Sequence, residues 1–400
     1  MAMSAPPPRR GPLSVEPLFD DLMREIFLRL PPHDPRGLVR AAVGCRSWRG
    51  ILSDAAFARE YRRFHRAPPM LGFFYDQFHI ERRRAFDERY WLPHFVSTAT
   101  FRLPAYEDRR DWRILDSRHG LVLFYTPAMD ADFVVCDLVT GDELEIHPDS
   151  DCEDIMWWED DDDNYRFENI RCNAAVLCGR DRCDHLNCHG GPFRVALLGS
   201  DEYGQIAFAT VYSSETREWS DMISAENPNT ISNWGHSAVV GNKVYVPCLE
   251  DDSVVEYNMG EQKLSVIDAP FEEQDQNQPY ISLMGVEDGM LLFASVVNPR
   301  LYLWSMEASP RGTVGWARRS VIELEPLLPP PVLLNNSEVL AVGFAEGVGV
   351  IFLMTNDGLY TIDLNSGIPE SKKVHGRQIE KVVPYMSFYT GARGQLLTLE

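Results

Sequence analysis

Apolar residues recur at Leu18, Leu22, Ile26 and Leu30, four positions apart, which predicts a helix with one apolar stripe. Asp20 and Asp21 fall in its first turn, where negative charge suits the helix dipole, and Pro31-Pro32 stop it. Asp34 followed by Pro35 is a start signal for a second helix, with Leu38, Val39, Ala42 and Val43 expected to face inward. Arg46, Ser47, Trp48, Arg49, Ile51 and Leu52 predict a third. Asp54 should cap a fourth, with Phe57, Tyr61 and Phe64 on one face, bracing the first three against the larger remainder of the chain. A stretch as short as Leu18–Leu52 cannot bury a core alone. Part of its apolar surface is therefore expected to belong to a partner, as when a helical patch docks into a groove.

From Met70 onward the texture changes to short alternating apolar runs separated by turn residues, which predicts β-strands. A repeat is visible: an apolar strand or hairpin, then a strand of the form apolar-aromatic-Asp/Asn and a polar turn. Gly120 to Tyr125 is followed in this way by Val134 to Ile146, Phe193 to Gly199 by Ala209 to Met222, and Ser237 to Pro247 by Ser253 to Ile267. Ile281 to Ala294 precedes Leu301 to Leu324, and Val339 to Met354 precedes Gly358 to Val374. Gly241-Asn242 and Asp288-Gly289 read as hairpin turns. Four-stranded repeats of this size indicate a β-propeller. Leu71 to Asp76 with His94 to Leu103 supplies a sixth unit, so six blades are expected, the closing one combining the two ends of the domain.

Composition narrows the function classes. With 44% hydrophobic and 11% aromatic residues in 400, the chain reads as globular and long enough for two domains. The opening MAMSAPPPRRGP has no apolar core of a secretory signal, and no apolar run is long enough to span a membrane. Eight cysteines without framework spacing suggest reduced thiols, hence cytoplasm and/or nucleus. Charge is uneven: residues 1–113 carry 20 Arg against 14 acids, net +6, whereas residues 114–400 carry 18 bases against 46 acids, net −28. Nucleic acid is thus not an expected partner of the larger part. All five lysines lie beyond residue 242, a scarcity that arginine-rich coding explains.

Candidate chemistry is sparse. Cys172, Cys178, Cys183, His185, Cys188 and His189 crowd together, and Cys183, His185, Cys188 and His189 could in principle hold zinc. The spacing matches no common zinc motif and contains no CxxC, so no metal or other cofactor is expected. The acidic run from Asp149 to Asp163 lacks the alternation and glycine of a calcium loop and reads as a solvated inter-strand loop around Trp157 and Trp158. There is no HExxH, GxSxG or phosphate-binding glycine loop, so catalysis is not expected. Candidates for a substrate-binding face are Trp157, Trp158, Trp234, His236 and Arg300, with Tyr280, Asn298, Tyr385 and Met386 also near loop ends.

The helical stretch resembles an F-box: Leu18, Asp21, Leu22, Ile26, Leu30, Pro31, Leu38, Cys45, Arg46, Trp48 and Arg49 fall on that pattern. It departs at Phe19, where proline is usual, and at Gly44, where valine is usual. HLNCHGGPF, VYSSETREW, GFAEGVGVIF and YMSFYT are similar to phrases of the kelch-like associated domains that come after the F-box in a large plant family. The resemblance implies an α+β multidomain chain. Residues 1–14 are a disordered lead, 15–66 an all-α F-box with its bracing helix, and 70–395 the all-β propeller. It further implies a non-catalytic substrate receptor of an SCF-type cullin–RING ubiquitin ligase. A Skp-type adaptor would be held by Leu18, Phe19, Leu22, Ile26, Leu30, Pro31, Leu38, Trp48 and Ile51, and an unknown protein by the propeller. The other reading is a kelch-like scaffold or ligand-binding propeller without a ligase role.

Overall fold

A computed structural model of the chain describes residues 15–82, 87–98, 109, 112–126, 132–138, 140–148, 172–180, 183, 185, 188, 190–201, 205–226, 229–232, 235–249, 253–270, 281–297, 299–308, 314–333, 339–366, 371–375, 379 and 381–388. The expected disordered lead, residues 1–14, lies outside them. Four helices come first: α1 Val15–Leu28, α2 Arg36–Gly44, α3 Arg46–Leu52 and α4 Ala55–His65. Asp54 caps α4 as expected, while Asp34 stands one residue outside the cap position of α2, which Pro35 takes. Asp54 accepts the Ala56 amide at 3.0 Å, and Asp34 accepts the Arg36 amide at 3.3 Å, one residue later than the Asp-Pro pair suggested. Gly44 closes α2, and a single extended residue, Cys45, separates it from α3.

Phe27, Leu28, Leu38, Ala41, Ala42, Leu52, Phe57 and Tyr61 form the core of this helical unit, with Met23, Leu30, Trp48 and Ile51 packed at its edge. Two expectations need correction. Val43, in the last turn of α2, is 56% exposed. Phe64, expected beside Phe57 and Tyr61, is exposed while those two are fully buried.

The remaining described strands build six sheets around a common axis. The first two, β1 Met70–Arg82 and β2 Asp87–Ser97, belong to the closing blade. Blade one is β3 Arg113–Arg118, β4 Leu121–Thr126, β5 Asp132–Asp137 and β6 Asp142–Ile146. Blade two runs β7 Cys172–Cys178, β8 Phe193–Ser200 and β9 Ile206–Ser213, its outer edge shared by β10 Glu218–Trp219 and β11 Ile223–Glu226. Blade three is β12 Ala238–Val240, β13 Lys243–Pro247, β14 Ser253–Asn258 and β15 Lys263–Asp268. Blade four is β16 Ile281–Glu287, β17 Met290–Val297, β18 Arg300–Ala308 and β19 Val314–Glu323; a short helix, α5 Pro330–Leu333, leads on from it. Blade five is β20 Leu340–Ala345, β21 Val350–Thr355, β22 Gly358–Asp363 and β23 Ser371–His375. Finally β24 Val383–Met386 pairs with β1, so blade six takes its innermost strand from the end of the chain and its outer two from before blade one.

The chain is thus a six-bladed β-propeller with a helical unit before it, and both ends meet in the closing blade, as the repeat predicted. Strands near the axis are covered on both faces by neighbouring blades, so CNAAVLC of β7 and VIFLMT of β21 are apolar almost throughout instead of alternating. Two-residue hairpins demand positive φ. His119-Gly120 has φ of +57° and +80°, and Asp288-Gly289 has +53° and +78°. Blades are also stitched at their rims: Trp219 Nε1 donates to His147 O at 2.7 Å, and Trp316 Nε1 to Asp268 O at 2.8 Å.

Every blade is a meander that starts at the axis, so all first-to-second-strand hairpins turn on one face. The α4 helix enters on that same face, because Met70 at the start of β1 pairs with Met386 at the end of β24. The helical unit is fixed there. Phe388 joins the helical core and meets Tyr61 edge-on at 6.2 Å, while Val39 of α2 is buried with Leu71, Phe74 and Tyr385 of blade six.

Candidate functional site

Three places in the structure gather chemistry. The first is the outer face of α1. Phe19, Leu22 and Ile26, three and four residues apart, are 52%, 58% and 46% exposed, whereas Phe27 and Leu28 are buried. The helix is held in that pose by polar contacts. Arg24 Nε lies 2.8 Å from Glu60 Oε2 and Nη1 3.4 Å from Asp54 Oδ2. At its end, where helix carbonyls lack partners, Tyr61 Oη donates to Leu30 O at 2.8 Å and His65 Nε2 bonds Leu28 O at 2.9 Å. Pro31 is exposed, Leu30, Trp48 and Ile51 are half-buried, and the Leu18 side chain lies outside the described residues. Leu38 corrects the sequence reading: at 2% exposure it belongs to the helical core, because α2 turns it toward α1 and α4, and it offers nothing to a partner.

The second place is the propeller axis. Arg118, the last residue of β3, lies 3.1 Å from Asp116 and 3.2 Å from Glu346, and donates to Ser237 O at 2.8 Å. Asp116 accepts the Val176 amide of β7 at 2.9 Å, and Glu346 accepts the Val286 amide of β16 at 3.0 Å. Nearby, Asp76 pairs with Arg113 at 3.0 Å, and Lys381 donates to Leu115 O at 3.0 Å. Burial pushes the Asp76 carboxyl up, against the pull of Arg113 and Lys381. Burial likewise drives Lys381 down to about 8, although Asp76 and Asp116 oppose it. These six side chains balance three acids against three bases, and they link blades one, two, three, four, five and six. They tie the blades together across the axis by ion pairs and hydrogen bonds.

His236, a candidate for the substrate face, belongs instead to this axis. Its Nε2–H donates to Val342 O at 2.8 Å, and burial, with Lys381 and Arg118 nearby, holds the ring neutral down to about 3. Tyr385 is fully buried against blade six and Met386 half-buried, so neither offers a free surface. Arg300 is exposed at the β17–β18 connection and pairs with Glu323 at 2.8 Å. Trp157, Trp158, Trp234, Tyr280 and Asn298 lie outside the described residues.

The third place is the β7–β8 connection, on the helix face. Cys178 at the end of β7 meets Cys183, His185 and Cys188, their ligand atoms all within 4.8 Å of one another. His189, the fourth residue of the sequence-level set, lies outside the described residues; Cys178 takes its place because the β7–β8 pairing folds the connection back over the strand end. The loop is pinched at its base by Gly179 N donating to Pro192 O at 2.8 Å, and within by Gly191 N to Cys188 O at 2.8 Å. Burial and the neighbouring thiols raise Cys188, and burial raises Cys178, so both thiols stay protonated at neutral pH.

No family model matches the chain. A search of curated proteins also finds no match. Among solved structures the chain is similar to the β-propeller domain of the Trilobed protease from Pyrococcus furiosus, with a TM-score of 0.38 and 8% identity over 78% of this chain and 95% of that one. It is similar to a chain of the Mitotic Checkpoint Complex, at TM-score 0.35 and 9% identity over 67% and 79%. A third likeness is to the β-propeller domain of Cps50 (Swd1) from Myceliophteria thermophila, at 0.33 and 10% over 66% and 87%.

Proposed function

We propose that this chain is a non-catalytic substrate receptor of a cullin–RING ubiquitin ligase. Its helices dock on a Skp-type adaptor, and its propeller holds a protein to be modified. The observation that carries the reading is the exposed stripe Phe19, Leu22 and Ile26 on a helix that has the F-box pattern. Three large apolar side chains in one row on a soluble helix call for a covering partner. The adaptor-facing set is Phe19, Leu22, Ile26 and Pro31, with Leu30, Trp48 and Ile51 at its margin; Leu38 supports the set from beneath. The chain contributes effective concentration and orientation, not bond-making groups. Orientation is served by the rigid join at Phe388 and Val39, which ties the adaptor face to the propeller. The face opposite the helices, which carries Arg300, is then the one turned toward substrate. No nucleic acid or membrane takes part, and the setting is the cytoplasm or nucleus.

The test is co-purification of the full chain with a purified Skp-type adaptor, beside Leu22→Glu and Ile26→Glu variants. Stoichiometric binding by the parent and loss of it in both variants, with unchanged melting, supports the reading. Absence of binding by the parent, or undiminished binding by the variants, overturns it.

A further inference from the structure

We infer that Cys178, Cys183, His185 and Cys188 form a structural zinc site that fastens the β7–β8 connection on the helix face of blade two. The donor set is three sulfurs and one imidazole, the soft, four-membered set that closed structural zinc sites use. Zinc bound at about 2.3 Å to sulfur and about 2.0 Å to nitrogen places its ligands roughly 3.5–3.8 Å apart. The four ligand atoms already lie within 4.8 Å of one another, so only a small contraction is needed. Convergence of all four is the telling point: a disulfide would use two sulfurs and leave the third thiol and the ring unexplained.

The surroundings fit a ligand set. The His185 amide points at Cys183 Sγ at 3.4 Å, the kind of N–H···S contact that stabilises a thiolate. Cys188 Sγ lies 4.0 Å from His185 Nδ1, which marks Nδ1 as the ring nitrogen turned toward the sulfurs. The backbone adopts φ +57° at His185, an uncommon value for a non-glycine residue. On its outer side the ring is stacked on His119 of the β3–β4 turn, 4.6 Å away and inclined by 28°. Metal binding here displaces protons from the three thiols and leaves a site of net charge −1. It would bind blade two's loop to blade one's turn through the paired rings.

The full chain, purified under reducing conditions, is analysed for bound metal and then titrated with cobalt(II) after chelation. The expected result is about one zinc per chain and a sulfur-to-cobalt charge-transfer band with the intense visible bands of tetrahedral cobalt. Cys183→Ser and His185→Asn should each lower zinc affinity by about tenfold or more, while Cys45→Ser, in the helical unit, should leave it unchanged. Should a variant misfold by circular dichroism, the cobalt spectrum of the parent chain decides alone. Little or no zinc together with no cobalt–thiolate band overturns the inference, as does a disulfide among Cys178, Cys183 and Cys188 in protein prepared without reductant.

Discussion

Arg118 and Glu346, 228 positions apart in sequence, meet at the propeller axis, where Nη1 lies 3.2 Å from both carboxylate oxygens. The pair is not isolated. Asp116 and Ser237 O hold the same guanidinium, and the Val286 amide holds the same carboxylate. Asp116 and Arg118 are largely buried while Glu346 is 34% exposed, so the group is costly to break from the Arg118 side chiefly because Asp116 stays desolvated.

Replacing Arg118 with Met should therefore cost about 3–5 kcal/mol, since it strands Asp116 and Glu346 together. Glu346→Gln should cost less, about 1–2 kcal/mol, because the amide oxygen still accepts the Val286 amide and Arg118 keeps Asp116. Urea unfolding of the two variants would check the order. Equal or reversed losses would overturn that order.

His236 makes stability fall on the acid side. Its ring is neutral to about 3 in the folded chain, against an ordinary value of 6.5. Between those values the unfolded chain binds a proton that the folded chain does not, so stability declines as pH drops from 6.5 toward 3. The slope from this one group is at most about 1.4 kcal/mol per pH unit. His236→Gln keeps an N–H for Val342 O and removes the titration, so its melting temperature should fall less between pH 7 and pH 5 than that of the parent.

The two faces of the helical unit should separate by mutation. Leu22→Glu changes an exposed position and should alter stability by no more than about 0.5 kcal/mol. Leu38→Ala empties a core position and should cost about 2–5 kcal/mol. Thermal melts of both, beside adaptor binding, would distinguish surface from support.

Glycines give a fourth contrast. A Cβ at Gly199 would stand 2.2 Å from Phe208 Cζ on the paired strand, so Gly199→Ala should destabilise by about 1–3 kcal/mol. Gly50, inside α3 with nothing within 4 Å of its would-be Cβ, should gain about 0.5–1 kcal/mol as alanine. A loss at Gly50 would point to a close neighbour absent from this packing.

Much of the architecture is legible in the sequence because it is local. Asp34 and Asp54 mark helix starts, Asp288-Gly289 marks a turn, and the alternating pairs mark blades, including the one closed from both ends. The α1 stripe is less legible. Steps of four residues advance about 40° around a helix of 3.6 residues per turn, and α1 ends at Leu28, so Leu30 lies past the helix and packs at the edge of the helical core while Leu22 and Ile26 stay outside. The innermost strand β7 escapes the sequence pattern because burial on both faces erases its alternation, and β3, RILDSR, because it gives Asp116 and Arg118 to the axis network. The axis network has no local signal at all, since Arg118, Glu346 and Lys381 are joined only by ring closure. Cys178 is visible as a cysteine, but its place beside His185 depends on the β7–β8 hairpin and not on spacing.

The closing blade also sets an order of events during synthesis. A growing chain has β1 and β2 early, yet β1 lacks its axial partner until Val383–Met386 has left the ribosome. Phe388, which seats Tyr61 and so fixes the helices, emerges two residues later still. Until then the α1 stripe sits on helices that lack the Phe388 contact and are held to the ring only through early residues such as Leu71 and Phe74 beside Val39.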